Sequence, residues 1–330
     1  MSKSVTKNPF PYTDSNKRYY TYDYYLKKTY GGKCAKITLD AGFTCPNIDG
    51  KCGTGGCIYC SPRGSGDFSE SALLSISEQY GLQRQRMTKK WDTPRFIPYL
   101  QAHTNTYADI EILRRVYAET ASLEGAVAMH IATRADCLGE DVVSLLCEVA
   151  ERIPLTVELG LQSVFDSTAR RIGRGHTLAD FLLGFKRLRH ASSRIRIGVH
   201  LINGLPGEAE EDMLASAAFV GSLVPDEIKI HLLHVLRNTP LAAMYESGRY
   251  TPLTKEAYVA TVVKQLTLLP QSIVIGRLTG DGAEEDLLAP LFSLKKLCIL
   301  NDIDKELAKT DAYQGKFVEN AQKLIQNISV

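Results

Sequence analysis

Residues 45–60 read Cys-Pro-Asn-Ile-Asp-Gly-Lys-Cys-Gly-Thr-Gly-Gly-Cys-Ile-Tyr-Cys and gather four of the eight cysteines into sixteen positions. Cys57 and Cys60 stand one tight turn apart, so both thiols can serve one metal centre. Eleven residues separate Cys45 from Cys57, and glycines at 50, 53, 55 and 56 let the chain curl back. Soft thiolates select zinc, Cu(I) or an iron–sulfur cluster. A structural zinc site asks for four protein ligands. The spacing supports three thiolates on one centre without requiring a fourth protein ligand.

The surrounding order is an apolar strand ending at Leu39-Asp40, then Gly42-Phe43-Thr44-Cys45-Pro46-Asn47, then Gly55-Gly56-Cys57-Ile58-Tyr59-Cys60. It resembles the cluster loop of radical S-adenosylmethionine (SAM) enzymes. The likeness is to the YhcC-type subfamily (MnmL in Gram-positive bacteria), related to the radical SAM domain of the Elongator catalytic subunit. It implies a 4Fe-4S cluster on Cys45, Cys57 and Cys60, with SAM on the open iron. Cys52 departs from that pattern and reads as a spare thiol or as a decoy ligand during cluster assembly. Arg174-Gly175-His176-Thr177 resembles the same branch, as do Thr239-Pro240-Leu241, Tyr245 and Gly248-Arg249-Tyr250. Arg277-Leu278-Thr279-Gly280-Asp281 and the stretch around Phe292 and Lys295 are similar to the subfamily's C-terminal end. There Arg277, Asp281 and Lys295 are candidate substrate contacts, against the plainer reading of a solvated charged loop.

These residues need a scaffold to position them. A chain of 330 residues, 44% hydrophobic and 23% charged, buries a sizeable core as one or two domains. Short apolar runs at 35–39, 96–100, 126–131, 155–159, 195–202 and 228–233 read as strands. Between them Val142, Leu145, Leu146 and Val149 keep helical spacing, as do Leu178, Phe181, Leu182 and Phe185 after a Thr177/Asp180 capping box. Val259, Val262, Val263 and Leu266 repeat it. Further helices are expected at 302–310 and 317–325. Strands alternating with helices make parallel βα units. The expectation is an α/β fold, a partial (β/α)6 TIM-like barrel of the radical SAM type. It comprises an N-terminal Tyr/basic lead-in (1–33), a core (34–280) and a C-terminal helical extension (281–330).

In such folds chemistry sits at the carboxyl ends of the strands. The resemblance implies SAM contacts there from Gln101, Asn105 and Thr106 after strand two. It implies more from Glu158, Gly160 and Gln162 at strand four, from Arg174, and from Asn203 and Leu205 after strand five. Arg134 holds a carboxylate or pairs with Asp136. A polar residue after a strand is more often a loop cap than a ligand; here several fall in register behind one cysteine loop. His103, His200, His231 and His234 read as core or pocket-wall residues, and Cys34, Cys137, Cys147 and Cys298 as ordinary thiols.

A formal charge of +2 excludes a strongly basic nucleic-acid binder but leaves a local patch open. Residues 17–28 set five tyrosines among four basic residues, which suits either RNA contact or a lead-in helix whose tyrosines cap the barrel. No apolar signal segment stands in residues 1–14 and no run is long enough to span a membrane, so a reducing cytoplasm is expected. Reductive cleavage of SAM to a 5′-deoxyadenosyl radical follows from the resemblance. So do a flavodoxin- or ferredoxin-like electron donor and tRNA as substrate, at the 5-carboxymethylaminomethyl-type group of the wobble uridine. Two rivals use the same cysteines. One is a structural-zinc RNA-binding module; the other is an iron–sulfur electron-transfer protein with Cys52 as fourth ligand.

Overall fold

The computed structural model describes residues 10–280, 282, 284–326 and 328. Asp281 lies outside the described residues. The strands in chain order are β1 (Ala35–Leu39), β2 (Phe96–Leu100), β3 (Met129–Thr133), β4 (Leu155–Gln162), β5 (Ile195–Asn203), β6 (Glu227–Leu232), β7 (Val235–Leu236), β8 (Val274–Arg277) and β9 (Leu287–Ala289). Seven form one parallel sheet in the order β1-β2-β3-β4-β5-β6-β8, curled into an open barrel. β7 and β9 make a small antiparallel pair outside it. The six anticipated strands are present, and β8 adds a seventh. Its four residues, Val-Ile-Gly-Arg, are too short a run to stand out as a strand in sequence. The third strand begins later than its apolar run suggests, with Ala126 making only an isolated bridge to Phe96.

The helices are α1 (Tyr22–Tyr30), α2 (Ile76–Lys90), α3 (Ile110–Ala121), α4 (Glu140–Ala150), α5 (Asp166–Arg171), α6 (Leu178–Ala191), α7 (Glu210–Leu223), α8 (Pro240–Glu246), α9 (Lys255–Leu268), α10 (Lys296–Lys309) and α11 (Ala321–Ile325). The Thr177/Asp180 capping box starts α6, which buries Leu178, Phe181, Leu182, Phe185 and Leu188. α10 begins six residues before the tail helix read from sequence, and the last helix shortens to Ala321–Ile325.

Alternation along the strands splits the barrel into two faces. Ile37 and Leu39, Val157 and Leu159, Ile197 and Val199, and Ile228 and Ile230 pack outward into one hydrophobic cluster with the helices. Each such burial stabilises by about 1.5–3 kcal/mol. Their in-between neighbours Lys36, Glu158, His200 and Lys229 face a cavity instead.

The lead-in is built into this core. Tyr20 O accepts from Ile275 N at 2.8 Å, and Thr21 bridges Ile275 in parallel along β8. Thr21 then caps α1, accepting from Tyr24 N, and Gly31 ends it at φ 73°. Leu26 is buried with Ile97 and Ala128, and Tyr22, Tyr25 and Tyr30 pack against them. Tyr22 and Tyr25 thus cap the barrel, as the plainer reading of residues 17–28 held, and Tyr30 joins them from just beyond that segment.

Candidate active site

The cysteine loop leaves β1 and folds by short-range hydrogen bonds. Ile48 N donates to Cys45 O at 2.8 Å, Cys52 N to Pro46 O at 2.7 Å and Cys60 N to Cys57 O at 3.0 Å. Asn47 is the buried pin of the loop. Its Nδ2 reaches Cys57 Sγ at 3.6 Å and donates to Gly173 O. Gly175, at φ 76°, leaves room for it: a Cβ there would stand 2.5 Å from Asn47 Oδ1. Arg174 is buried and gives Nη1 to Leu161 O and to Ser163 O (2.7 Å), and Nε to His176 O at 3.0 Å. The Arg174–Thr177 stretch thus clamps the end of β4 to the cysteine loop.

Cys45, Cys57 and Cys60 line one cavity of about 1170 Å³ at the carboxyl end of the barrel; Cys52 is exposed and does not line it. Cys60 donates to Cys57, which pulls the Cys57 thiol down to about 7 against the effect of burial. The Tyr59 hydroxyl, the Arg134 charge and the Asn47 amide add to that. Among the described residues no three His, Cys, Asp or Glu side chains sit close enough to share one metal ion. A cluster asks for something else: one thiolate per iron, on irons set apart. Three thiols around a cavity, one already poised to ionise, fit a cluster with an open iron better than a four-ligand zinc.

Gln101, Glu158, Gly160, Gln162 and Arg174 line the same cavity. Gln162, at φ 62°, folds its amide back over Gly160, where a Cβ would meet it at 2.6 Å. The other anticipated contacts are not brought there. Asn105 is buried and spends its amide on the carbonyls of Leu100, Ala102 and Ala132 at 3.0–3.1 Å. Thr106 bonds Thr133 Oγ1 at 2.5 Å and Cys137 O at 2.7 Å. Asn203 pairs with Gln265 at 2.8 and 2.9 Å, and Leu205 is buried in a satellite apolar cluster. These four hold the strand ends rather than face the cavity. Arg134 takes the second of its two readings, pairing with Asp136 through two bonds at 3.0 and 2.7 Å. Arg277 lines the cavity, whereas Lys295 lines a separate groove of about 740 Å³ beside Phe292 that holds none of Cys45, Cys57 and Cys60.

Beneath the thiols lies a polar layer that sequence reading did not assemble. Glu158 accepts from Tyr99 Oη at 2.6 Å, His130 Nδ1 at 2.7 Å, His200 Nε2 at 2.8 Å, Lys36 Nζ at 3.3 Å and Lys229 Nζ. The five donors come from β1, β2, β3, β5 and β6. Burial by itself would raise the Glu158 carboxyl; the Lys229 and Lys36 charges and the histidine donors outweigh it and hold it well below the usual range. Burial also pushes His130 down to about 3 and Lys229 to about 8. His130 is therefore neutral at pH 7, and its bond to Glu158 is a hydrogen bond rather than an ion pair. The available signal was period-two polarity, Glu227, Lys229 and His231 on an otherwise apolar strand.

The family models agree with this geometry. The radical SAM superfamily model matches residues 49–220 and the radical SAM C-terminal domain model residues 225–309. The chain belongs to the radical SAM superfamily and is an enzyme of that class, whose cofactors are a 4Fe-4S cluster and SAM. Within it, the chain is 42% identical to YtqA of Bacillus subtilis over 319 residues, 97% of this chain and 98% of that protein. It is 32% identical to YhcC of Escherichia coli K12, covering 86% of this chain and 90% of that protein. A tRNA uridine(34) acetyltransferase of Methanocaldococcus jannaschii is 27% identical over 158 residues, 47% of this chain and 28% of that protein. The solved Elp3 of Methanocaldococcus infernus shares the fold at a TM-score of 0.63 and 17% identity, covering 85% of this chain and 64% of that one. No helix among the described residues is long and apolar enough to cross a membrane.

Proposed function

We propose that this radical SAM enzyme acts on tRNA, at a 5-carboxymethylaminomethyl-type substituent of the wobble uridine, in the cytoplasm and with a flavodoxin- or ferredoxin-like electron donor. The tRNA part is supported by the likeness to proteins named for uridine 34 of tRNA. The observation that carries the chemistry is that Cys45, Cys57 and Cys60 line one cavity with the Glu158 layer beneath. Residues 34–280 make the catalytic core on this reading, with 1–33 and 281–330 as extensions.

Cys45, Cys57 and Cys60 would hold the cluster. When bound, the cluster and SAM supply one-electron cleavage of the sulfonium, giving methionine and a 5′-deoxyadenosyl radical. The chain's own residues do the rest. Asn47 and Arg174 fix the loop. Gln101, Gly160 and Gln162, which line the same cavity, would receive SAM's polar groups.

The test has two arms. Anaerobically reconstituted, reduced protein should convert SAM to 5′-deoxyadenosine; iron-free, colourless protein carrying zinc would overturn the cluster assignment. Nucleosides of tRNA from a deletion strain should show an altered wobble-uridine profile; an unchanged profile would remove the tRNA assignment and leave the chemistry.

A further inference from the structure

Around Glu158 the donors outnumber the acceptors. An ionised carboxylate offers about four lone-pair positions, and five side chains converge on this one. His130 gives its Nδ1–H to Glu158 while its Nε2 accepts from Tyr22 Oη at 3.2 Å. That ring then has no lone pair left for Lys36, although Lys36 Nζ lies 3.1 Å from Nδ1. Lys36 is also the longest of the five contacts, at 3.3 Å, and its side chain is 23% exposed on the cavity side. Lys229, nearly buried, has three N–H groups and Glu158 as its hydrogen-bonded partner. Two residues along β6, His231 presents a buried Nε2 with no hydrogen-bond partner, its ring 5.1 Å from that of His200. Glu227 takes none of these N–H groups: both of its oxygens are buried without a hydrogen-bond partner. Burial raises its carboxyl, against the pull of the Lys36 and Lys229 charges. The layer lies roughly 13 Å below the end of β4, four residues at 3.3 Å each.

We propose that this layer is a subsite for an anionic, acceptor-rich group of the substrate, a carboxylate or a phosphate, held by Lys36 and Lys229 with His231 beside them. An anion there takes the ammonium N–H groups for which Glu158 alone has too few lone pairs. The inference rests on the tRNA reading only for which molecule carries the anion.

Small anions test the subsite without any RNA. The ring signals of His200 and His231 would be followed by NMR in reconstituted, anaerobic enzyme. Acetate and inorganic phosphate should shift them saturably and acetamide should not. Lys36→Met and Lys229→Met should each weaken that binding by about tenfold or more, the loss of a charge-assisted bond, and Lys229→Arg should restore part of it. Shifts that do not saturate, equal shifts from acetamide, or lysine variants that titrate like the parent in a folded protein would overturn the subsite. Anticodon stem-loops carrying 5-carboxymethylaminomethyluridine or 5-aminomethyluridine then separate the sources. Tighter binding of the carboxylated RNA, competed by acetate, assigns the substituent; equal binding competed by phosphate assigns the backbone. Stem-loops that fail to bind while acetate still does would remove the tRNA reading and leave the subsite standing.

Discussion

Asn47 Oδ1 occupies the space that a side chain on Gly175 would need, with only 2.5 Å from the oxygen to an ideal Cβ. The contact joins the cysteine loop after β1 to the turn before α6, and it is the place where two distant motifs meet.

Gly175→Ala should therefore strip the enzyme of its cluster. The substitution adds a methyl group against Asn47 and forces an alanine to φ 76°, about 1–2 kcal/mol of backbone strain before the clash is counted. Gly248→Ala is the control, since Gly248 has φ 72° and nothing within 4 Å of its added Cβ. Iron and sulfide content per chain after reconstitution should fall sharply in the first variant and hold in the second. Equal iron in both would refute the packing argument.

Cys52 is exposed and outside the cavity, so Cys52→Ala should keep cluster content and SAM cleavage. Cys45→Ala, Cys57→Ala and Cys60→Ala should each lose both. Loss of iron in Cys52→Ala would mean a four-thiolate site and no open iron.

Glu158→Gln leaves Lys229 buried without its counter-charge. Breaking a buried pair in this way costs about 3–5 kcal/mol. Urea unfolding should show the loss, and a Glu158→Gln, Lys229→Met double variant should recover part of it. A double variant as unstable as the sum of its parts would show that the two residues are not coupled.

Stability should decline in mild acid. Burial holds His130 at about 3 and His176 at about 2, and it lowers His200 and His231 as well. Their folded pKa values lie below the unfolded value of about 6.5, so the unfolded chain binds more protons as pH drops. The stabilisation is complete above about 6.5 and is lost below it, by about 1.4 kcal/mol each for His130 and His176 between pH 7.5 and 5.5. Glu208 works the other way, because burial lifts its carboxyl to about 7 and folding gains a proton there as pH falls. His176→Gln isolates one histidine: its urea midpoint should drop less between pH 7.5 and 5.5 than the parent's. An identical drop would remove His176 from the account.

Much of the frame was legible because its signals are local. The capping box at Thr177 and Asp180 and the apolar runs of β1, β2 and β4 depend on neighbours within a few residues. β8 was hidden because a glycine and an arginine fill half of it. The site divides along the same line. The cysteine loop carries its spacing in sixteen consecutive positions. The Glu158 layer draws single residues from strands up to 193 positions apart, Lys36 to Lys229, and only the sheet's register brings them together. Asn105 and Asn203 show the converse: polar residues at strand ends whose amide N–H groups are consumed by neighbouring backbone and by Gln265.

The bond from Ile275 N to Tyr20 O has a consequence for life at high concentration. An unclosed barrel ends in two bare margins, and a bare margin invites a strand from another molecule. On the β8 side the protein's own residues 20 and 21 already take up pairing positions at Ile275, so that margin offers less of a seam for another molecule.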